Sequence, residues 1–214
     1  VVGAAQAVWQ EGRCMTWFQL QLVVLVYLAG LMWFHRHRWA FARYLWGAFG
    51  FAFLAIQLSV VMAWHVSLAA LETAHVRTLM ALVGVHIQIV DDITLLVPDP
   101  TGWSGLRFGI ECSTLIELSV FGGLMLFYPR LTLSKRWTYL AWGAVCTYGL
   151  NLVRICVIVI LIGIGGKPIV PVAHAIVGRL VYFFGIVVLY WFLLTQPTLL
   201  LIRRSIEITG RAVR

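Results

Sequence analysis

Long apolar runs separated by short basic stretches set the pattern of this chain. Five of them, about Trp17–Phe34, Tyr44–Trp64, Cys112–Tyr128, Thr138–Gly165 and Val172–Leu194, read as spans. A crossing takes roughly 20 predominantly apolar residues for a hydrocarbon core about 30 Å thick. The fourth run is long and carries Asn151 and Arg154, which predicts a bend or a projection beyond the bilayer. The stretch from His65 to Glu111 follows other rules. Ser67 to Val83 has mixed helical periodicity and reads as a helix lying on the membrane surface. Val85, Ile87 and Ile89 then alternate with polar neighbours, as do Leu106, Phe108 and Ile110. A period of two predicts short strands. Asp91-Asp92 and Pro98-Asp99-Pro100-Thr101-Gly102 supply turn chemistry between them, and the acidic pair argues against a further span.

Composition agrees with a membrane solvent. Of 214 residues, 62% are hydrophobic and 11% charged, with mean hydropathy +0.93, too few charges to cover a soluble exterior. The net charge of +8 does not indicate nucleic acid, because the basic residues sit at the ends of apolar runs. There they report topology. One set of connections holds ten (Arg36, Arg38, Arg43, Arg130, Lys135, Arg136, Arg203, Arg204, Arg211, Arg214) and the other four (Arg13, Arg77, Arg107, Lys167). By the positive-inside rule the N-terminus lies outside and the C-terminus inside, as an odd number of spans requires. Val1 to Trp17 lacks a signal-peptide pattern, so the first run is expected to be a span. The expectation is an all-α polytopic membrane protein with about five transmembrane helices. It forms a single membrane domain over residues 1–214, with residues 65–111 as a small extracytoplasmic cap between spans two and three.

Few ionisable groups enter the spans, and each costs roughly 2.5–3.5 kcal/mol on insertion scales. Cys112 opens span three at its outer end. Arg154 lies 18 residues beyond Arg136, a rise of about 27 Å that brings it near the same face. His174 opens span five there. A thiol, a guanidinium and an imidazole thus share one depth. A histidine or other positive charge lowers a thiol pKa and shuttles its proton, and an arginine steadies an oxyanion or a substrate carboxylate. The set suits acyl transfer on a peptide bond. Singly, each residue also has an ordinary reading: a small apolar cysteine, an interfacial histidine, a snorkelling arginine.

Glu111-Cys112-Ser113-Thr114-Leu115-Ile116-Glu117 opening a span, Asn151-Leu152-Val153-Arg154-Ile155, and a His174 opening the last span together resemble the exosortase/archaeosortase family. The likeness covers roughly Gly84 to the C-terminus. It implies a membrane cysteine protease and transpeptidase of the prokaryotic plasma membrane, with its active site facing outside. The substrates implied are secreted proteins with a C-terminal tripartite sorting signal: a short motif, a transmembrane helix and a basic tail. Cys112 would be the nucleophile, His174 the acid and base, and Arg154 the oxyanion or positioning group, with an unknown acceptor nucleophile. Many members carry Cys-Ser-Gly or Cys-Ala-Gly, whereas Thr114 follows here; the Glu-Cys-Ser-Thr form resembles a divergent, Gram-positive-type branch.

Supporting positions follow from helical spacing. Glu117 is five residues past Cys112 and Arg179 five past His174, so the two charges are expected at equal depth and paired. Glu111 orients His174 or Arg154, or else ends a solvated loop. Asn151 bonds between helices. Ser113 supports the oxyanion or caps a helix. Cys146 and Cys156 read as packing residues and Cys14 as an outer cysteine. His35 and His37, among basic residues, read as a lipid-facing anchor. The cysteines lack CxxC spacing, and His65, His75 and His86 lack HExxH, so neither metal nor cofactor is expected. Membrane lipid is the surrounding partner. The alternative is a non-enzymatic membrane subunit or a small-solute carrier, which would line a cavity with Arg154, Arg179 and Glu117 and would tolerate loss of Cys112.

Overall fold

The computed structural model describes residues 17–91, 93–109, 112–129, 132–196 and 199. Two long helices come first, α1 (Trp17–Arg36) and α2 (Ala40–Val61), followed by α3 (Trp64–Leu82). Strands β1 (Gln88–Asp91), β2 (Thr94–Asp99) and β3 (Gly102–Arg107) form one antiparallel sheet in the order β1-β2-β3. Then come α4 (Leu115–Phe127), α5 (Leu133–Gly165) and α6 (Gly178–Tyr190), the last preceded by a 3-10 turn at Lys167–Ile169, a single α-turn and a π-helical turn at Ala173–Val177.

The protein is a mostly helical, multi-pass membrane protein. Four helical stretches are long and apolar enough to cross a membrane: Phe18–Arg36, Ala40–Val61, Leu133–Gly165 and Lys167–Leu193. The third expected span is shorter than the pattern suggested. Its helix has 13 residues, about 20 Å of rise, because the chain first folds into a tight turn. Gly109 O accepts from both Cys112 N and Ser113 N, at 3.0 and 3.2 Å, so helical geometry starts only after Thr114. At its other end Arg136 donates to the carbonyls of Leu126 and Tyr128 at 2.5 and 2.8 Å. A cation there satisfies orphan carbonyls and favours the helix dipole.

Close packing brings α4 against α2. A Cβ on Gly123 would strike the Ala48 carbonyl, so only glycine lets the two backbones touch. Helix α1 leans on α2 through reciprocal bonds, Trp46 Nε1 to Tyr27 O (3.0 Å) and Tyr27 OH to Gly47 O (3.1 Å). Its Phe18, Leu22, Leu25 and Met32 stay exposed, an arrangement suited to lipid rather than water.

Helix α5 runs unbroken for 33 residues, about 50 Å, well beyond a hydrocarbon core of about 30 Å. The extra length carries the sheet. Leu95, Val97 and Leu106 turn inward at alternate positions and meet Ile155, Ile158, Val159 and Ile162 of α5 and Val76 and Met80 of α3. Cys112 and Ala173 belong to the same apolar cluster. The β2–β3 hairpin pairs Asp99 with Gly102, leaving Pro100-Thr101 as a two-residue loop. Gly102 takes a φ of 127° that side-chain-bearing residues avoid.

Candidate active site

Cys112 sits in the turn between the sheet and α4, not on the helix. Its backbone is tied on two sides: its N–H to Gly109 O, and its carbonyl to Asn151 Nδ2 of α5, which donates at 2.9 Å. Asn151 is buried on the face of α5 that also buries Thr147, Arg154 and Ile155. The cysteine is 8% exposed.

His174 comes to that thiol from 62 residues away, with Nε2 3.5 Å and Nδ1 4.0 Å from Sγ. A neutral thiol donates to the ring; a thiolate accepts from it. The π-turn that carries His174 sets the phase of α6 behind it. Ala173, Gly178 and Tyr182 are the buried positions, spaced five and then four residues apart. The wide turn lets a buried glycine meet Ile158 of α5 while His174 faces Cys112.

Arg154 lies one turn past Asn151, 6% exposed, with its guanidinium carbon 5.7 Å from the Tyr182 ring centroid. Its Nε has no hydrogen-bond partner among the described residues. Its charge acts on two acids, Glu72 and Glu117. The structure therefore brings Cys112, His174 and Asn151 together, with Arg154 one turn further along α5 against Tyr182.

The sequence model of the transmembrane exosortase family matches residues 1–191 of this chain. The chain belongs to the transmembrane exosortases. This match reaches further than the motif likeness, since it includes α1 and α2. Neither curated proteins nor solved structures gave a match. Exosortases are membrane cysteine transpeptidases acting on secreted proteins with C-terminal sorting signals.

One expected pair does not form in this exosortase. Glu117 points inward, its Oε2 buried without a hydrogen-bond partner among the described residues, whereas Arg179 is exposed. Equal depth is not equal azimuth: Gly178 must face Ile158, so Arg179, about 100° further round, faces away. Glu117 lies in the field of Arg154 instead. Ser113 is buried in the turn, but the residue at the helix start is Thr114, which makes no cap bond of its own. Glu111 and Cys14 lie outside the described residues. Cys146 and Cys156 are half-buried on α5. His35 accepts from Arg43 Nη1 at 2.7 Å, and His75 bonds the Tyr148 hydroxyl at 2.8 Å. No group of three metal-ligating side chains occurs among the described residues.

The sequence reading missed Glu72. This residue of α3 is fully buried, and its Oε1 accepts from Thr114 N at 2.9 Å and from Thr114 Oγ1. Burial pushes its carboxyl above the usual range, against the opposing pull of Thr114, Asn151 and Arg154. A signal for it existed. Glu72 falls on the face of α3 that also buries Ala69, Val76 and Met80, an acid at an apolar position.

Proposed function

We propose that this chain is a membrane cysteine protease and transpeptidase that cleaves C-terminal sorting signals from secreted proteins through an S-acyl enzyme. Cys112 is the nucleophile, His174 the acid and base, and Arg154 the group that steadies the oxyanion. The observation that carries this reading is the 3.5 Å approach of Cys112 Sγ to His174 Nε2 in a chain of the exosortase family.

The chemistry closes with these groups. The Cys112 thiol passes its proton to His174, and the thiolate adds to the scissile carbonyl carbon. The carbonyl electron pair moves to oxygen, where the Arg154 cation stabilises it. Collapse breaks the C–N bond; the leaving amine takes the proton from His174 and an S-acyl enzyme remains. An acceptor, water or another nucleophile, gives its proton to His174, adds to the thioester and releases the Cys112 sulfur, which His174 reprotonates.

The whole chain acts as one membrane domain in the prokaryotic plasma membrane, N-terminus outside and C-terminus inside. Residues 65–111 and the site face outward. Support for this orientation is the excess of basic residues on the opposite set of connections. A substrate helix lying in the bilayer presents its scissile bond at the depth of Cys112. Partners are secreted proteins with the tripartite signal and surrounding lipid.

The test is labelling of right-side-out vesicles with a membrane-impermeant thiol reagent. Fast labelling at Cys112 that slows in His174→Ala supports the reading. Labelling only after permeabilisation overturns the orientation, and labelling indifferent to His174 overturns the catalytic pair. Cys112→Ala abolishes signal cleavage in a processing assay; a carrier or non-enzymatic subunit would tolerate it.

A further inference from the structure

Three consecutive residues around the nucleophile are tied to three different parts of the fold. Cys112 N and Ser113 N bond to the loop at Gly109 O, Cys112 O accepts from Asn151 of α5, and Thr114 donates twice to Glu72 of α3. Glu72 reaches Thr114 across 42 residues and has no exposed surface; Ala69, Val76 and Met80 are buried on its face of α3, and Arg154 acts on it from α5. A buried carboxyl is costly unless hydrogen bonds and charge partners compensate it. Its two short bonds go to Thr114, while Asn151, which holds Cys112 O, also acts on its carboxyl. Oε1 takes both the N–H and the hydroxyl of Thr114, while Oε2 is buried without a hydrogen-bond partner among the described residues. The hydroxyl of Thr114 serves Glu72 rather than its own helix, whose start has no side-chain cap.

We propose that Glu72 is a positioning residue: acting through Thr114, it holds the Cys112 turn at the distance from His174 at which the thiol proton transfers. This rests on the reading of Cys112 and His174 given above. Without Glu72 the turn keeps its own loop bonds and the Asn151 bond but loses both ties of Thr114. The segment between β3 and α4 then gains freedom at the point where a small shift lengthens the sulfur–imidazole contact.

Alkylation of Cys112 by iodoacetamide tests this in the purified full chain, followed by peptide-resolved mass spectrometry as a function of pH; no sorting-signal substrate is needed. Glu72→Ala and Thr114→Val each slow alkylation at neutral pH by about tenfold, within the range for a misplaced reacting group. Each also moves the inflection of the pH profile toward an unassisted thiol, about 8.5. The double variant is no slower than Glu72→Ala alone, because the hydroxyl bond that Thr114→Val removes is already lost with the acid. Glu72→Gln and Thr114→Ser, which keep the acceptor and the donor, restore most of the rate. Phe121→Leu, a change in the apolar packing between α4 and α5, lowers stability and leaves the pH profile in place. Wild-type profiles in Thr114→Val and Glu72→Ala, or additive losses in the double variant, overturn the proposal. Should Glu72→Ala fail to fold, Thr114→Val and the two rescue variants decide. If His174→Ala leaves alkylation unchanged, the catalytic pair itself is wrong; if only the Glu72 and Thr114 variants are silent, the pair stands and this inference falls.

Discussion

Two carboxylates in the segment between α2 and α4 grip a threonine in the same way and to different ends. At the hairpin tip, Asp99 Oδ1 accepts from Thr101 N and Thr101 Oγ1, both at 2.6 Å, while Ser104 donates to Oδ2. In the interior, Glu72 Oε1 accepts from Thr114 N and Thr114 Oγ1. The first clasp joins residues two apart and shapes a turn in water. The second joins residues 42 apart and anchors the turn that carries Cys112. Burial separates them. Ser104 and Thr101 hold the Asp99 carboxyl below the usual range, whereas burial pushes that of Glu72 above it. The same bonds that define local shape at the surface define long-range position in the core, since only in the core is a lost partner not replaced by water.

The comparison breaks most visibly at Glu72. Glu72→Ala strands two buried donors of Thr114, and thermal unfolding of the purified protein should show a loss of about 2–5 kcal/mol. Thr114→Val removes only the hydroxyl and keeps the N–H bond, so a loss of about 1–2 kcal/mol is expected in the same assay. The two acids then part in pH. Glu72, with its pKa raised, contributes stability fully below the ordinary glutamate range of about 4.3, and that contribution is lost as pH rises through the raised value. Glu72→Gln should therefore melt with the wild type in acid and above it at alkaline pH. Asp99, with its pKa lowered, contributes above the ordinary aspartate range of about 3.9, and that contribution is lost as pH falls through the lowered value. Amide protection at Thr101 should fall only in that acid window. The smallest effect belongs to Asp99→Asn, which keeps an acceptor at an exposed turn: melting temperature and Cys112 alkylation should match wild type, and a fall in either would mean the hairpin couples to the site.

The hairpin turn was legible because its information is local. Pro98-Asp99-Pro100-Thr101-Gly102 names a turn by residue type alone. The strands, however, run over Gln88–Asp91, Thr94–Asp99 and Gly102–Arg107, so that of the alternating positions at Val85, Ile87 and Ile89 and from Leu106 onward only Ile89 and Leu106 fall within them. The long apolar helices were legible for a similar reason, as hydrophobic length is counted directly. Azimuth was not. Counting five residues past His174 placed Arg179 at the depth of Glu117, but the π-turn and the contact of Gly178 with Ile158 rotate it outward. Nor was the length of α4, because the Gly109 carbonyl captures two amides before helix geometry starts. Glu72 went unseen in a segment read as a surface helix, where an acid needs no partner.

By itself the sequence determined what depends on composition and rise per residue: a chain for lipid, its long helices, the turns of a short sheet, and the spacing of a thiol, a guanidinium and an imidazole along the chain. The family likeness rested on those same three residues and their neighbours, and the family match bears it out. Tertiary structure alone decided which side chains face one another. It put His174 Nε2 3.5 Å from Cys112 Sγ and sent Arg179 outward, and it made Glu72, on a segment read as a surface helix, the buried acceptor of Thr114 two residues past Cys112. The reason is geometric: distance along a helix accumulates by a constant step, whereas direction around it depends on wide turns and on which small residues let two backbones meet.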